Sequence, residues 1–390
     1  PQDLPANIIV FELDLGFNQI TNLSQSDLSR YRNLRTLNFN NNRISNINSQ
    51  AFYVLSLLTT LRLDSNRIRS LRYDLFTGLG NLQELNLSDN EINDIQAGAF
   101  SSTSQIRYLY MHENKLTIFR ADFFTGLANM SHITLYNNTI RNIQAETFSQ
   151  TPQLRGLRLD YNKLTNLRSD MFTGLGNLQE VHLYNNEISY IQAGTFSSTP
   201  QLKKLYLSNN NITSFPFNDL STHRLDLELA NNRLTTLSST AYDVLMSMSY
   251  VKIYNNPWLC DCRMVDFRLR MTGFYPFEDQ INCTQPDHLY GQKLKDINPE
   301  NLFSDCVEPT IVRFQRATKN TVVQGETLQL VCEASGIPTP DITVTLPSGM
   351  NASTYIDRRV TVSKNGTITV RDITAADTGL YVCIAANSVG

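Results

Sequence analysis

The chain has 390 residues, 41% of them hydrophobic and 18% charged, which is ordinary globular composition and enough length for two or three domains. A net charge of −3 provides no basic field for nucleic acid or an anionic membrane, and no run of 18 apolar residues is present to span a bilayer. All six cysteines fall in the last third, at 260, 262, 283, 306, 332 and 383; an even number in small modules points to disulfides and an oxidising compartment.

Pro1 to Ile9 is a lead-in without cysteine. From Val10 to Asn256 an LxxLxLxxN unit recurs, closing at Asn18, Asn42, Asn66, Asn90, Asn114, Asn138, Asn162, Asn186, Asn210, Asn232 and Asn256. The step is 24 residues throughout except for 22 between Asn210 and Asn232. A second series keeps the same step through Phe52, Phe76, Phe100, Phe124, Phe148, Phe172 and Phe196, continued by Leu220 and Tyr242. In Leu85-Asn86-Leu87 the alternation is strand-like: both leucines point inward, while Glu84, Asn86 and Ser88 point outward. One such strand cannot bury its apolar face alone, so successive repeats must stack and share a core. The Asn after each strand ends it at a tight bend, where its amide can satisfy backbone groups of its own and the adjacent coil. The Phe rings fill the return path.

This pattern resembles the extracellular leucine-rich repeat family. The resemblance implies a right-handed solenoid over 1–255, about eleven coils forming a horseshoe with a parallel concave sheet. Leu4-Pro5-Ala6-Asn7-Ile8 is similar to the segment that leads from that family's N-terminal cap into its first repeat. A superperiod of 48 also shows. Asp74-Leu75-Phe76-Thr77-Gly78-Leu79 returns at Asp122 to Leu127 and at Asp170 to Leu175, which suggests growth by copying repeat pairs. At repeat ten Arg224 falls where an apolar residue belongs, and Leu225 is expected to slip in.

Residues 256–306 open with Asn256-Pro257-Trp258-Leu259-Cys260-Asp261-Cys262 and resemble the cysteine-rich C-terminal cap of the same family. Family pairing implies Cys260 with Cys283 and Cys262 with Cys306. A gap of one residue between Cys260 and Cys262 is too short for a usual zinc pair, so no metal is expected. Trp258 would cover the last coil. Residues 307–390 carry Cys332, Cys383 and Asp377-Thr378-Gly379-Leu380-Tyr381-Val382-Cys383, similar to the DxGxYxC signature of immunoglobulin domains. Ala385, Asn387 and Gly390 suggest the I-set subclass, a β-sandwich expected to lack its last strand here. Val344 stands where that family has its core Trp. The fold class expected is therefore mainly β.

No phosphate-binding loop, GxSxG elbow or HExxH occurs, so neither an enzyme nor a cofactor is expected. Sequons at Asn22, Asn86, Asn129, Asn137, Asn211, Asn282, Asn351 and Asn365 agree with secretion. The outward strand positions are rich in residues that supply rigid contact area with a polar tip. Tyr108, Tyr110, His112, His132, Tyr136, Arg158, His182, Tyr184, Lys204 and Tyr206 form the candidate binding patch, with Asp160, Tyr250, Lys252 and Tyr254 on the same face. The plain alternative is that aromatic residues suit strands. Early strands are weighted acidic by Glu12, Asp14, Asp64 and Glu84, later ones basic by Arg155, Arg158, Lys203 and Lys204. Glycans on Asn86 or Asn137 would obstruct part of the concavity. The resemblance to cell-surface receptors and adhesion molecules that combine leucine-rich repeats with immunoglobulin domains implies an extracellular ectodomain or secreted module binding a protein partner. Membrane attachment would come only through a region outside this chain, and a second copy of the chain is a further candidate partner. The alternative is host defence, since Phe76 to Gln83 and Phe172 to Gln179 resemble variable lymphocyte receptor repeats; its ligand would be a microbial glycan or antigen.

Overall fold

The computed structural model describes residues 9–220, 224–317, 321–352, 359–363 and 367–390. The sequon Asn365 and the lead-in Leu4 to Ile8 lie outside them. Two compact units form. The first runs through Thr235 and takes in Thr240–Pro257 and Gly273–Asn282. The second holds Thr236–Ser239, Trp258–Thr272 and Cys283–Gly390.

The first unit is a solenoid whose eleven short strands make one parallel sheet in chain order, coil one contributing Glu12–Asp14 and coil eleven Tyr250–Lys252. Pairing between neighbours is in register, so Glu84 faces Tyr108 and Asn86 faces Tyr110. Residues at one repeat position therefore form straight columns across the sheet. Leu85 and Leu87 are fully buried, as their spacing predicts, while Glu84 and Asn86 stay half-exposed. Ser88 differs from expectation. It is buried, and its hydroxyl donates to Asn86 Oδ1 at 2.7 Å.

The ladder of asparagines holds the coils together. Asn114 Nδ2 donates to Leu87 O, Met111 O and His112 O at 2.9, 3.2 and 3.2 Å, and its Oδ1 accepts from Ile92 N at 2.9 Å. Two of these four bonds reach the preceding coil. The same set recurs at Asn66, Asn90, Asn138 and Asn162. The residue just before each ladder Asn is left-handed even without glycine: Ser65 has φ 56°, Glu113 56° and Tyr161 54°. Such a conformation is unfavourable for a side chain, and it persists because the Asn bonds fix the bend.

The Phe rings at 52, 76, 100, 124, 148, 172 and 196 are all buried, and Phe76–Phe100, Phe124–Phe148 and Phe172–Phe196 meet at centroid distances of 5.7, 5.4 and 5.8 Å. Leu220 is only half-buried. Phe215 packs on Phe196 at 6.1 Å and Phe217 on Phe215 at 4.9 Å, filling the shortened coil. Leu225 is buried there and Arg224 is exposed with φ 74°, as the slipped pattern requires.

The superperiod of 48 has a structural counterpart. Side strands pair two by two, Ser70–Leu71 with Asp94–Ile95, Ile118–Phe119 with Asn142–Ile143, and Asn166–Leu167 with Tyr190–Ile191. In alternate coils an arginine clamps its neighbour: Arg72, Arg120 and Arg168 each bind an aspartate two residues on and donate to the carbonyls of Ile47, Ile95 and Ile143. Gly78 (φ 98°) is needed because a Cβ there would lie 2.5 Å from Tyr53 O.

In the second unit Cys260 bonds Cys283 and Cys262 bonds Cys306, around the fully buried Trp258. The immunoglobulin part has antiparallel sheets, one ordered Val307–Arg316, Leu328–Ile337, Thr367–Val370, Val360–Val362, the other pairing Asp341–Thr345 with Val382–Ala386. Cys332–Cys383 joins them. Val344 occupies the core beside Leu330, Leu346 and Ile368, where aliphatic side chains replace an indole. Tyr381 Oη donates to Asp377 O at 3.0 Å, the tyrosine corner.

Replacing Asn114 with Ala is expected to cost about 2–4 kcal/mol in urea unfolding, because four bonds go and buried carbonyls lose their donor. Asn18→Ala, at an exposed bend whose bonds among the described residues stay within its own coil, is expected to cost under about 1 kcal/mol.

Candidate binding face

The register turns the sequence patch into a connected surface. Tyr110, Thr134, Arg158, His182 and Tyr206 share one column. His112, Tyr136, Asp160 and Tyr184 sit two residues on in their coils. Tyr110 meets His112 edge-on at 6.5 Å, His112 stacks on Tyr136 at 4.3 Å, and the Arg158 guanidinium lies 4.5 Å over the Tyr136 ring. His182 meets Tyr184 at 6.3 Å and Tyr206 at 4.8 Å. Seven of the ten predicted residues thus form one continuous chain of contacts.

Arg158 is the hub. It forms a two-pronged bond with Asp160, Nε to Oδ1 at 3.1 Å and Nη2 to Oδ2 at 2.9 Å, and also donates from Nη2 to Tyr184 Oη at 3.1 Å. Asp160, expected to point outward, is 0% exposed beneath it. A buried carboxylate needs such a partner, and the geometry fixes the guanidinium on the open face of the sheet. The Arg-x-Asp spacing was the available signal, since Arg62 and Asp64 make the same pair.

The other three residues lie to one side. Tyr108 stacks on His132 at 5.4 Å, and the His132 ring covers Gly156, where a Cβ would meet Cδ2 at 2.5 Å. Lys204 is tied to Glu180 at 2.8 Å, a partner the sequence reading passed over. Lys252 likewise pairs with Glu228 at 2.7 Å. Of the residues expected to set an acidic-to-basic gradient, Asp64, Arg158 and Lys204 are therefore paired locally.

Burial lowers the basicity of His112, His132 and His182 and raises the phenols of Tyr110, Tyr136, Tyr184 and Tyr206. The imidazoles are neutral at pH 7, and His112 Nδ1 shares a hydrogen bond with Thr134 Oγ1 at 2.9 Å. Among the described residues no group of three or more His, Cys, Asp or Glu is placed to hold a metal. No helix among them is long and apolar enough to cross a membrane. Of the sequons, Asn22, Asn129, Asn137 and Asn282 are exposed, while Asn86, Asn211 and Asn351 are half-buried.

The Leucine rich repeat profile matches residues 11–68, 56–116, 112–164 and 152–212, together over half the chain, and the Immunoglobulin domain profile matches 308–387. The chain belongs to the leucine-rich repeat family, with an immunoglobulin domain after the repeats. It is similar to mouse leucine-rich repeat and immunoglobulin-like domain-containing nogo receptor-interacting protein 2, 33% identical over 146 residues. That stretch is 37% of this chain and 24% of the relative, so the match spans about a quarter of the curated relative's length. Among solved structures it resembles a chain of the octameric Latrophilin 3, Unc5D and FLRT2 complex, with TM-score 0.63, 23% identity and coverage of 78% of this chain and 93% of that one. It also resembles a chain of the mouse RP105/MD-1 complex, with TM-score 0.62, 24% identity and coverage of 73% and 49%. These structural likenesses establish the fold.

Unfolded histidines titrate near pH 6.5, whereas the three folded ones take protons only at lower pH, so the unfolded chain binds more protons in that window. Stability is therefore complete above about pH 6.5 and falls as pH drops toward the lowered folded values. Replacing His112, His132 and His182 with Gln is expected to flatten the fall in Tm between about pH 7 and 5. An unchanged slope would assign it to other groups.

Proposed function

We propose that this chain is a non-enzymatic extracellular recognition module of a cell-surface receptor or adhesion molecule, binding a protein partner through the open face of its sheet. The observation that carries this reading is the connected surface of Tyr110, His112, Tyr136, Arg158, Tyr184, His182 and Tyr206. Its side chains are held by one another and by a buried Asp160, so little rotamer freedom remains to be lost on binding. Aromatic rings around a fixed arginine have the composition of protein-binding hot spots. Three disulfides support this reading, since such bonds persist in an oxidising compartment. The receptor-interacting relative and the protein complexes in which similar folds were solved point the same way.

Host-defence recognition of a microbial glycan or antigen is the second reading, favoured by the stacked, partly exposed Tyr108–His132 pair. A single experiment separates the two. The purified glycosylated protein, and its Tyr108→Ala/Tyr110→Ala/His182→Ala/Tyr206→Ala variant, are applied to arrays of cell-surface proteins and microbial polysaccharides. The expected outcome is binding to a surface protein that weakens at least about 100-fold in the variant. Glycan binding lost in the variant would favour host defence, and binding indifferent to the substitutions would remove the face from either role.

A further inference from the structure

Just ahead of each strand lies a repeat position on the edge of the sheet. In coils five, seven and nine it is occupied by Arg107, Arg155 and Lys203, 48 residues apart, with Ser131 and Gln179 in the coils between. All three cations are exposed, and among the described residues none has a carboxylate within ion-pair distance. Their backbones are fixed alike: Arg107 N donates to Gln83 O at 2.8 Å, Arg155 N to Ser131 O at 2.7 Å and Lys203 N to Gln179 O at 2.7 Å. With strands about 4.8 Å apart, the charges recur roughly every 9.6 Å along a line. Between the first two lies a cleft of about 320 Å³, lined by the two arginines, the amides of Asn129 and Gln153, the Ser131 hydroxyl and the Tyr108–His132 stack. On the open face the cations Arg62, Arg158, Lys204 and Lys252 each have a carboxylate partner; these three edge cations do not. Glu180, the nearest acid on the following strand, is occupied by Lys204.

We propose that this edge binds a linear sulfated polysaccharide. Sulfates set at regular intervals along a stiff chain match cations at a regular spacing, and the amide and hydroxyl groups between them suit sugar hydroxyls, with an aromatic stack as the floor. An acidic peptide would present carboxylates at the shorter repeat of an extended backbone and needs no aromatic floor. The site is distinct from the Arg158-centred surface, and its existence does not depend on protein binding there. Because Asn129 is a sequon residue lining the cleft, a glycan attached to it would fill the site.

The test is binding of the whole glycosylated protein to heparin oligosaccharides, to desulfated heparin and to polyglutamate, with Arg107→Ala/Arg155→Ala compared against Arg67→Ala/Arg141→Ala, a pair of exposed arginines elsewhere. Thermal melting confirms that both variants fold. The expected result is heparin binding that desulfation abolishes, weakened about 10-fold in R107A/R155A and unchanged in the control. The slope of log affinity against log salt should fall by about two, one per lost cation contact. Equal loss in both variants would mean a diffuse charge effect, and tighter binding to polyglutamate would mean a peptide site; either overturns the proposal. Mass spectrometry showing Asn129 fully glycosylated would overturn it too. Tyr110→Ala/Tyr206→Ala should leave heparin binding intact, so that failure of this site and failure of the protein-binding reading are read separately.

Discussion

The amide of the asparagine that closes each repeat is the constraint from which the rest follows. A three-residue strand followed by a sharp bend leaves backbone donors and acceptors that no regular structure satisfies, and burial makes an unpaired one costly. One amide supplies three donor contacts and one acceptor contact, two within its coil and two to the coil before. Stacking therefore proceeds without slip. A slip of one residue would turn the buried leucines outward along the sheet. Because register is exact over eleven coils, chemistry written once per repeat becomes a column, and a column of aromatic or basic residues becomes a surface.

That surface is stiff for a second reason. Its charges are mostly spent on one another: Arg62 on Asp64, Arg158 on Asp160, Lys204 on Glu180, Lys252 on Glu228. Pairs of this kind add little stability where exposed, but they hold side chains in one orientation. What remains for a ligand is the ring faces and the supported Arg158 on the open face, and the unmatched row at the edge. The doubling of the repeat bears on both. Side-strand pairs and arginine clamps recur every second coil, as do the edge cations of coils five, seven and nine, so this part of the solenoid behaves structurally as a stack of coil pairs.

Much of this was legible in the sequence. The Asn and Phe series gave coil number and core, the Cys262 neighbourhood gave the cap, and the residues around Tyr381 gave the immunoglobulin sheet. Periodicity identifies which face a residue occupies; it does not identify the neighbour it meets there. Glu180 and Lys204 are one repeat apart and become partners only through the register, so Lys204 read as a free cation. Asp160 read as outward because alternation ignores a side chain that curls back beneath its own coil's arginine. The extension of the ring stack by Phe215 and Phe217 was hidden because a coil shortened by two residues changes the return path, and no fixed step can describe that.

The most direct measurement of the central claim is amide hydrogen exchange on Asn138→Ala against the unsubstituted protein. Asn138 binds Met111 O, Leu135 O and Tyr136 O and accepts from Leu116 N, so it ties coils five and six beneath the His112–Tyr136 stack. If the ladder fixes the face, exchange should rise at Leu116 and through the strands Tyr108–Tyr110 and His132–Thr134, while coils one, two and ten keep their protection. Exchange unchanged at those strands, or raised uniformly along the solenoid, would contradict the account.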